Sequence, residues 1–417
     1  MSATTNHDQA PSVPPRPWGM TALERRASLS LASIYGLRML GLFFILPVFA
    51  VYAQTLPQGH DKLLVGLALG VYGLTQALMQ IPFGMASDHF GRKPVMVFGL
   101  LIFAAGSFVA GHSNDLHLII VGRAIQGAGA ISAAISAMIA DSTREQHRTK
   151  AMAMVGMTIG LSFIVSLIFG PPIYHAISVP GMFNLTGILA VLAIAVVIWV
   201  VPSAPMVRNA EELQGHGARA VLTPALIKLN FSIFVVNFLQ VSMFVVVPVA
   251  LVKYAGIALP HHWMVYLPVT LVSFALAIPG IIWAEKYGYM KAVFVGAVAL
   301  LVLTMVGLAF GYRHPLGLIA GLFFFFLAFN VMEALLPSLV SRTAPPGRKG
   351  LAMGFYNTGQ SLGLFAGGGT AGLLAQNVNR EAVFLAAALL ALVWLVVSLT
   401  ITPPAPRRRM LEPAEAG

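Results

Sequence analysis

Twelve apolar stretches, each about 20 residues or longer, run through this chain and decide what it can fold into. They cover 29–53, 63–86, 94–112, 116–140, 150–176, 181–201, 226–253, 263–285, 291–311, 316–341, 350–375 and 381–401. A stretch of that length crosses the hydrocarbon core of a bilayer as a helix, because a helix satisfies its own backbone hydrogen bonds where water is absent. Charge agrees with this: 9% of the 417 residues are charged, against roughly a quarter in a soluble domain. An all-α membrane protein with 12 transmembrane helices is therefore expected. The proline-rich residues 1–28 read as a polar tail and not as a cleaved leader. Residues 202–225 form a polar linker and 403–417 a second tail, leaving bundles at 29–201 and 226–402 with six segments each.

Several function classes drop out. The net charge of +11 comes from basic residues scattered between apolar runs, whereas nucleic-acid binding needs them clustered on one solvated face. There are no cysteines, no HExxH and no GxxxxGK[ST], so thiolate metal sites, zincin chemistry and P-loop hydrolysis are not expected. No HxxxxD occurs either, which counts against a membrane acyltransferase. No enzyme activity, cofactor or metal is expected. The implied partners are the lipid bilayer and a small-molecule substrate, with no nucleic acid.

The connections carry an orientation. Nineteen of the 25 lysines and arginines lie in the two tails and the even-numbered connections, and four lie in the odd ones: Lys62, Lys253, Arg313 and Arg380. An excess of basic residues marks the cytoplasmic side, so both termini are expected there. The two halves also echo each other. Ile81-Pro82 is followed by Asp88 and Gly91, and Ile278-Pro279 by Glu285 and Gly288, at the same offsets. Two pseudo-symmetric six-helix bundles in parallel orientation are the architecture of major facilitator transporters, with the substrate site between the halves.

Gly84-Met-Ala-Ser-Asp88-His-Phe-Gly91-Arg92-Lys93, between segments 2 and 3, resembles the major facilitator loop signature G-x-x-x-D-x-x-G-R-K at every fixed position. Three further stretches resemble the proton-coupled drug-antiporter branch. They are Leu40-Gly41 with Pro47-Val48, Arg123-Ala-Ile-Gln126-Gly127-Ala-Gly129-Ala130, and Ser166-x-x-x-Gly170-Pro171. Ala50 stands where a second proline is expected, and Ser166 where a glycine is. Leu37 to Gly41, Thr143 to Met152 and Phe329-Asn330-Val-Met-Glu333-Ala-Leu-Leu-Pro337-Ser338 are similar to the YajR-like subgroup, and the likeness runs over about 20–402. Some members carry an extra C-terminal domain, which this chain is expected to lack. The resemblance implies a bacterial inner-membrane transporter that acts as a monomer and exchanges protons for substrate. It also implies a gate in which Asp88 caps the segment 11 helix near Gly350 to Met353 and Arg92 pairs with Asp141.

Charges inside a membrane are functional candidates by default. Arg38, Arg123 and Glu333 lie deep in segments 1, 4 and 10, which line the central cavity in the family the chain resembles. Glu333, eight residues or about 12 Å of helix from Ser341, is the candidate for proton coupling. Arg38 and Arg123 are candidates for anion attraction, with snorkelling or carbonyl capping as the structural alternative. Polar residues at helical spacing supply further lining candidates: Tyr72 and Gln76 with Gln80, Gln126, Asn237 and Gln240, Asn330, and Asn357 with Gln360. Such side chains also hold membrane helices together. The favoured reading is export of amphipathic or drug-like molecules by alternating access. The alternatives are an anionic metabolite as substrate, or a ligand-binding membrane protein that does not transport.

Overall fold

A computed structural model of the chain describes residues 19–202, 221–345 and 348–401. Most of the expected N-terminal tail, most of the linker and the C-terminal tail lie outside the described residues. Thirteen α-helices make up the described fold: α1 (Ala22–Phe43), α2 (Leu46–Tyr52), α3 (Lys62–Phe90), α4 (Arg92–Gly111), α5 (Leu116–Ala128), α6 (Ser132–Ser142), α7 (Glu145–Trp199), α8 (Pro224–Ala255), α9 (Trp263–Tyr287), α10 (Met290–Gly311), α11 (Pro315–Thr343), α12 (Lys349–Asn377) and α13 (Arg380–Leu399).

Ten helical stretches among the described residues are long and apolar enough to cross a membrane, against the twelve expected. One difference lies in α7, whose 55 residues are unbroken except at Ser178, where φ 60° and ψ 175° leave the helical region. The expected segments 5 and 6 are joined there. The other lies in α12, which at 29 residues is as long as α3. It carries glycine and amide side chains along its length and is not among the ten.

Local chemistry explains the helix ends. Thr21 accepts a hydrogen bond from the Glu24 amide, and the Glu24 carboxylate accepts one from the Thr21 amide. This capping box starts α1 at Ala22, seven residues before the expected edge of segment 1. Pro47 lies in the first turn of α2, so segment 1 is broken between Phe43 and Leu46. Segment 4 is broken too, at Gly129 (φ −74°, ψ 55°), which separates α5 from α6. Gly170 of α7 packs at the first break, where an added Cβ would lie 3.2 Å from the Phe44 carbonyl oxygen and from Pro47. Two stretches of the antiporter pattern therefore meet in space.

The helices pack as two groups, with α1, α3, α4 and α5 arranged around one another and α7, and α8 to α13 forming the second set. Between them α3 lies along α12 and α2 against α8. The α3–α12 seam is backbone on backbone. A Cβ added to Gly70 would stand 2.9 Å from the Phe365 carbonyl, and one on Gly368 would stand 3.0 Å from Gly70. Without side chains between them the backbones approach closely, which is how membrane helices gain packing energy. Lys62 closes one end of this seam: its amide donates to Gln376 Oε1 at 3.0 Å and its Nζ donates to the Ala375 carbonyl at 2.7 Å.

Candidate transport cavity

A cavity of about 570 Å³ opens between the two helix groups. It runs from Gln240 and Gln360, part-way along α8 and α12, to Ser341, Arg342 and Lys349 at the neighbouring ends of α11 and α12. Lys62 and the sealed α3–α12 seam lie at the opposite end.

Its two walls differ in chemistry. The wall from α1 and α7 contains Phe43, Met152, Met157, Gly160, Phe163 and Ile164, all apolar. The facing wall from α8, α11 and α12 presents Asn237, Gln240, Asn330, Glu333 and Gln360. Phe163 reaches across the divide, with its ring 5.3 Å from Phe329, 5.9 Å from Phe326 and 6.2 Å from Phe244. Of the phenylalanine run 323–326 and Phe329, Phe329 is the one that lines the cavity.

Glu333 is the one carboxyl among the lining residues. Its Oε1 is buried with no protein hydrogen-bond partner. Pro337, one turn later in α11, also lines the cavity. The amides beside Glu333 are partly engaged. Asn330 Nδ2 donates to Ser273 Oγ at 3.0 Å, and Gln360 Nε2 donates to Asn237 Oδ1 at 3.4 Å. Both polar side-chain atoms of Gln240 are buried without a partner. Asn357, one turn before Gln360, is buried beside this wall and not among the lining residues.

The candidates from the first half lie elsewhere. Arg123 is 1% exposed, donating from Nε to the Ala68 carbonyl at 3.1 Å, from Nη2 to Leu69 at 3.4 Å and from Nη1 to Gln126 Oε1 at 3.0 Å. Gln126 passes the chain on to Ser107 Oγ at 2.7 Å. Both residues are thus spent holding α5 to α3 and α4, which is the carbonyl-capping alternative. Arg38 donates to Ser132 Oγ at 3.0 Å, and its Nε and Nη2 are buried without partners. The two guanidiniums share one ring, with Tyr72 5.7 Å from Arg38 and 5.0 Å from Arg123. Gln76 is buried in the same helix as Tyr72 with its Oε1 unpartnered. None of these five residues lines the cavity. Their faces were unreadable because a deep position in a segment says nothing about which side of the helix the residue occupies.

The signature between α3 and α4 forms a cluster at the Arg342–Lys349 end. Gly91 takes φ 98°, the turn that its lack of a Cβ permits. Gly84 has ordinary room, with Ala133 3.6 Å from where a Cβ would sit. Arg92 donates from Nε to Asp141 Oδ2 at 2.9 Å, from Nη1 to Ser87 Oγ at 2.9 Å, and also pairs with Asp88. Of the two expected contacts, Arg92–Asp141 is made. Asp88 is 66% exposed and held by Arg92, and among the described residues no hydrogen bond or ion pair joins its carboxylate to α12. Lys93 takes no part in this cluster.

The ion pair between Glu24 and Arg144 has a signal in the sequence. Glu24 is 5% exposed, and its carboxylate accepts from Arg144 Nε at 2.8 Å and Nη2 at 2.9 Å, tying the start of α1 to the start of α7. Thr21-x-x-Glu24 just before an apolar run is a helix-start pattern, which places Glu24 at a helix start and not in a tail. The bidentate geometry, with Glu24 buried, gives it more weight than a surface pair.

The sequence model of the Major Facilitator Superfamily matches residues 31–270 and 231–416. The chain belongs to the major facilitator superfamily. It is 46% identical over 388 residues to the inner membrane transport protein YajR of Escherichia coli (strain K12), covering 92% of this chain and 85% of YajR. It is 25% identical over 352 residues to the multidrug resistance protein MdtH of Aeromonas salmonicida (strain A449), covering 82% of this chain and 86% of that protein. In fold it is similar to the crystal structure of the human organic anion transporter MFSD10, with TM-score 0.66, 20% identity, and coverage of 91% of this chain and all of that one. The superfamily member described here is a multi-pass inner-membrane transporter with a small-molecule substrate, and not an enzyme.

Proposed function

We propose that this transporter exports amphipathic, drug-like molecules carrying positive charge, in exchange for protons. The observation that carries the reading is the cavity's asymmetry: one apolar aromatic wall faces one amide wall holding a single unpartnered carboxyl, Glu333. An apolar body and one cationic group fit those walls without specific shape, as broad substrate ranges need. When no substrate is present, a proton is the natural occupant of a carboxyl withdrawn from water, so one site serves both by exclusion. MdtH, a more distant relative, is a multidrug resistance protein, which supports drug-like substrates.

In this reading the chain crosses the membrane twelve times as 6 + 6, with both termini cytoplasmic. At about 1.5 Å per residue the 50 residues of Lys150–Trp199 span far more than one hydrocarbon thickness of roughly 30 Å. That length and the bend at Ser178 support two passages, and the seam with α3 supports a passage for α12. The basic-residue count supports this orientation. The cavity then opens to the cytoplasm, and the Lys62 seam is the closed outer gate. The exposed Asp88 fits this state, since its contact with the start of α12 belongs to the state facing outward. Both walls come from a single chain, so one copy suffices as a monomer.

The test is a substrate-panel transport assay in everted vesicles with an imposed pH gradient, comparing lipophilic cations with organic anions. Gradient-driven movement of cations that disappears in Glu333→Gln supports the reading. Movement of anions in preference to cations supports instead the second reading, an anionic metabolite, which Arg342 and Lys349 at the cavity mouth favour.

A further inference from the structure

The G-x-x-x-D-x-x-G-R-K motif ends in two cations, and the gate accounts for one of them. Arg92 is bound to Asp141, Ser87 and Asp88. Lys93, next in sequence, has no hydrogen-bond or ion-pair partner among the described residues. It stands at the mouth of a separate groove of about 430 Å³ between α4 and the end of α7. Pro94, Val97, Phe98 and Leu101 of α4 line the groove on one side and Ile198 of α7 on the other.

The sequence explains the shape. Positions 93, 94, 97, 98 and 101 fall on one face of a helix, and eight residues give a strip about 12 Å long running inward from Lys93. The groove lies on the outside of the molecule, where Phe98 is 58% and Leu101 52% exposed. On a chain embedded in a bilayer, lipid covers such a surface. Its polar end makes it more than ordinary lipid-facing wall. Trp199, beside Ile198, is 74% exposed at the last residue of α7, the level at which tryptophan sits among headgroups. Arg26 lies at the same end, donating to the carbonyls of Val200 at 3.0 Å and Trp199 at 3.4 Å. An apolar strip, an interfacial ring and a cation without a partner follow one another in the order of a phospholipid's tail, glycerol region and phosphate. Two cations lie at that end, and the nearby carboxylates Asp88 and Asp141 already pair with Arg92. That balance selects a headgroup with net negative charge over one whose own ammonium competes with Lys93.

We propose that the α4–α7 groove is a binding site for one anionic phospholipid, with an acyl chain along Val97, Phe98 and Leu101 and the phosphate on Lys93. Basic pockets between transmembrane helices bind anionic headgroups by this combination of contacts. Assigning the lipid to the cytoplasmic leaflet rests on the orientation proposed above; the groove and its chemistry do not.

The experiment uses the full chain, purified in mild detergent with equal amounts of phosphatidylglycerol and phosphatidylcholine of identical acyl chains. Retained lipid is counted by native mass spectrometry. Wild type is expected to retain one phosphatidylglycerol with about fivefold preference, the factor that one lysine at the membrane surface supplies. Lys93→Gln abolishes the preference, and Val97→Trp, which fills the groove and keeps the lysine, loses the retained lipid. Lys291→Gln, an exposed lysine on α10, keeps both. An undiminished preference in Lys93→Gln, or an equal loss in Lys291→Gln, overturns the site. No vesicle sidedness or transport enters this measurement, so its failure leaves the transport reading standing, and the reverse holds.

Discussion

Replacing Glu333 by glutamine removes an ionisable group and almost nothing else. The two side chains have the same shape, and Glu333 Oε1 has no protein partner, so the substitution breaks no hydrogen bond at that atom. Thermal stability should therefore stay within about 0.5 kcal/mol of wild type, as for substitutions away from packed features. Substrate binding should change far more. A cationic group about 4 Å from a carboxylate gains about 1 kcal/mol in water and about 4 kcal/mol at the effective dielectric of a protein site. The cavity is bounded by protein on two walls and open in part, so a value between these, near 2 kcal/mol, is appropriate. That converts to about a 30-fold rise in Kd for a monovalent lipophilic cation, with little change for a neutral compound of the same shape. Proton exchange should be lost for both. Binding is read by tryptophan quenching or calorimetry on purified protein, and coupling by pH-gradient-driven accumulation in vesicles. If Glu333→Gln binds cations with wild-type Kd and still accumulates them against a gradient, the carboxyl is neither the cation site nor the proton site.

Three other substitutions test the surrounding parts. Asp88→Asn should abolish turnover while leaving expression and monodispersity normal, because Asp88 is exposed and its loss costs the fold little; an unchanged transport rate removes the gate. Gly368→Ala places a methyl group against the Gly66 carbonyl and the Gly70 backbone, and should cost about 1–3 kcal/mol by overpacking, read as a lower melting temperature in detergent. Glu24→Gln breaks the bidentate, charge-assisted pair with Arg144 and should lower the melting temperature; a melting temperature equal to wild type means that the pair contributes nothing.

How much of this was legible beforehand differs between fold and site. Length and hydropathy are one-dimensional properties, so an all-helical membrane protein could be read from composition alone. Helix faces could not. Arg38, Arg123 and Tyr72 are deep and polar, the features that made them cavity candidates, yet they meet one another inside the first bundle. A buried arginine that finds backbone carbonyls has the same sequence signature as one that waits for substrate. The breaks at Pro47 and Gly129 were visible as residues, but their consequence, the seating of Gly170 against the first break, depends on which helices become neighbours. The Glu24 cap was readable, and was obscured by the polar residues around it.

The polar wall suggests what the missing signal was. Its residues belong to pairs three apart on three different helices: Asn237 with Gln240, Asn330 with Glu333, and Gln360 with Asn357, which is buried beside the wall without lining it. Three residues is nearly one helical turn, so each pair stands on one face, and a face carrying two amides or acids in an apolar helix is costly unless it meets water, substrate or another such face. All three pairs lie in the second half. The first half instead buries Tyr72, Gln76 and Gln80 on α3, with Tyr72 against Arg38 and Arg123. Two halves that echo each other in sequence therefore carry different work: the first supplies the apolar wall and the Arg92 cluster, and the second supplies the wall that holds a carboxyl. Symmetry in the chain predicts the frame, and departures from that symmetry point to the chemistry.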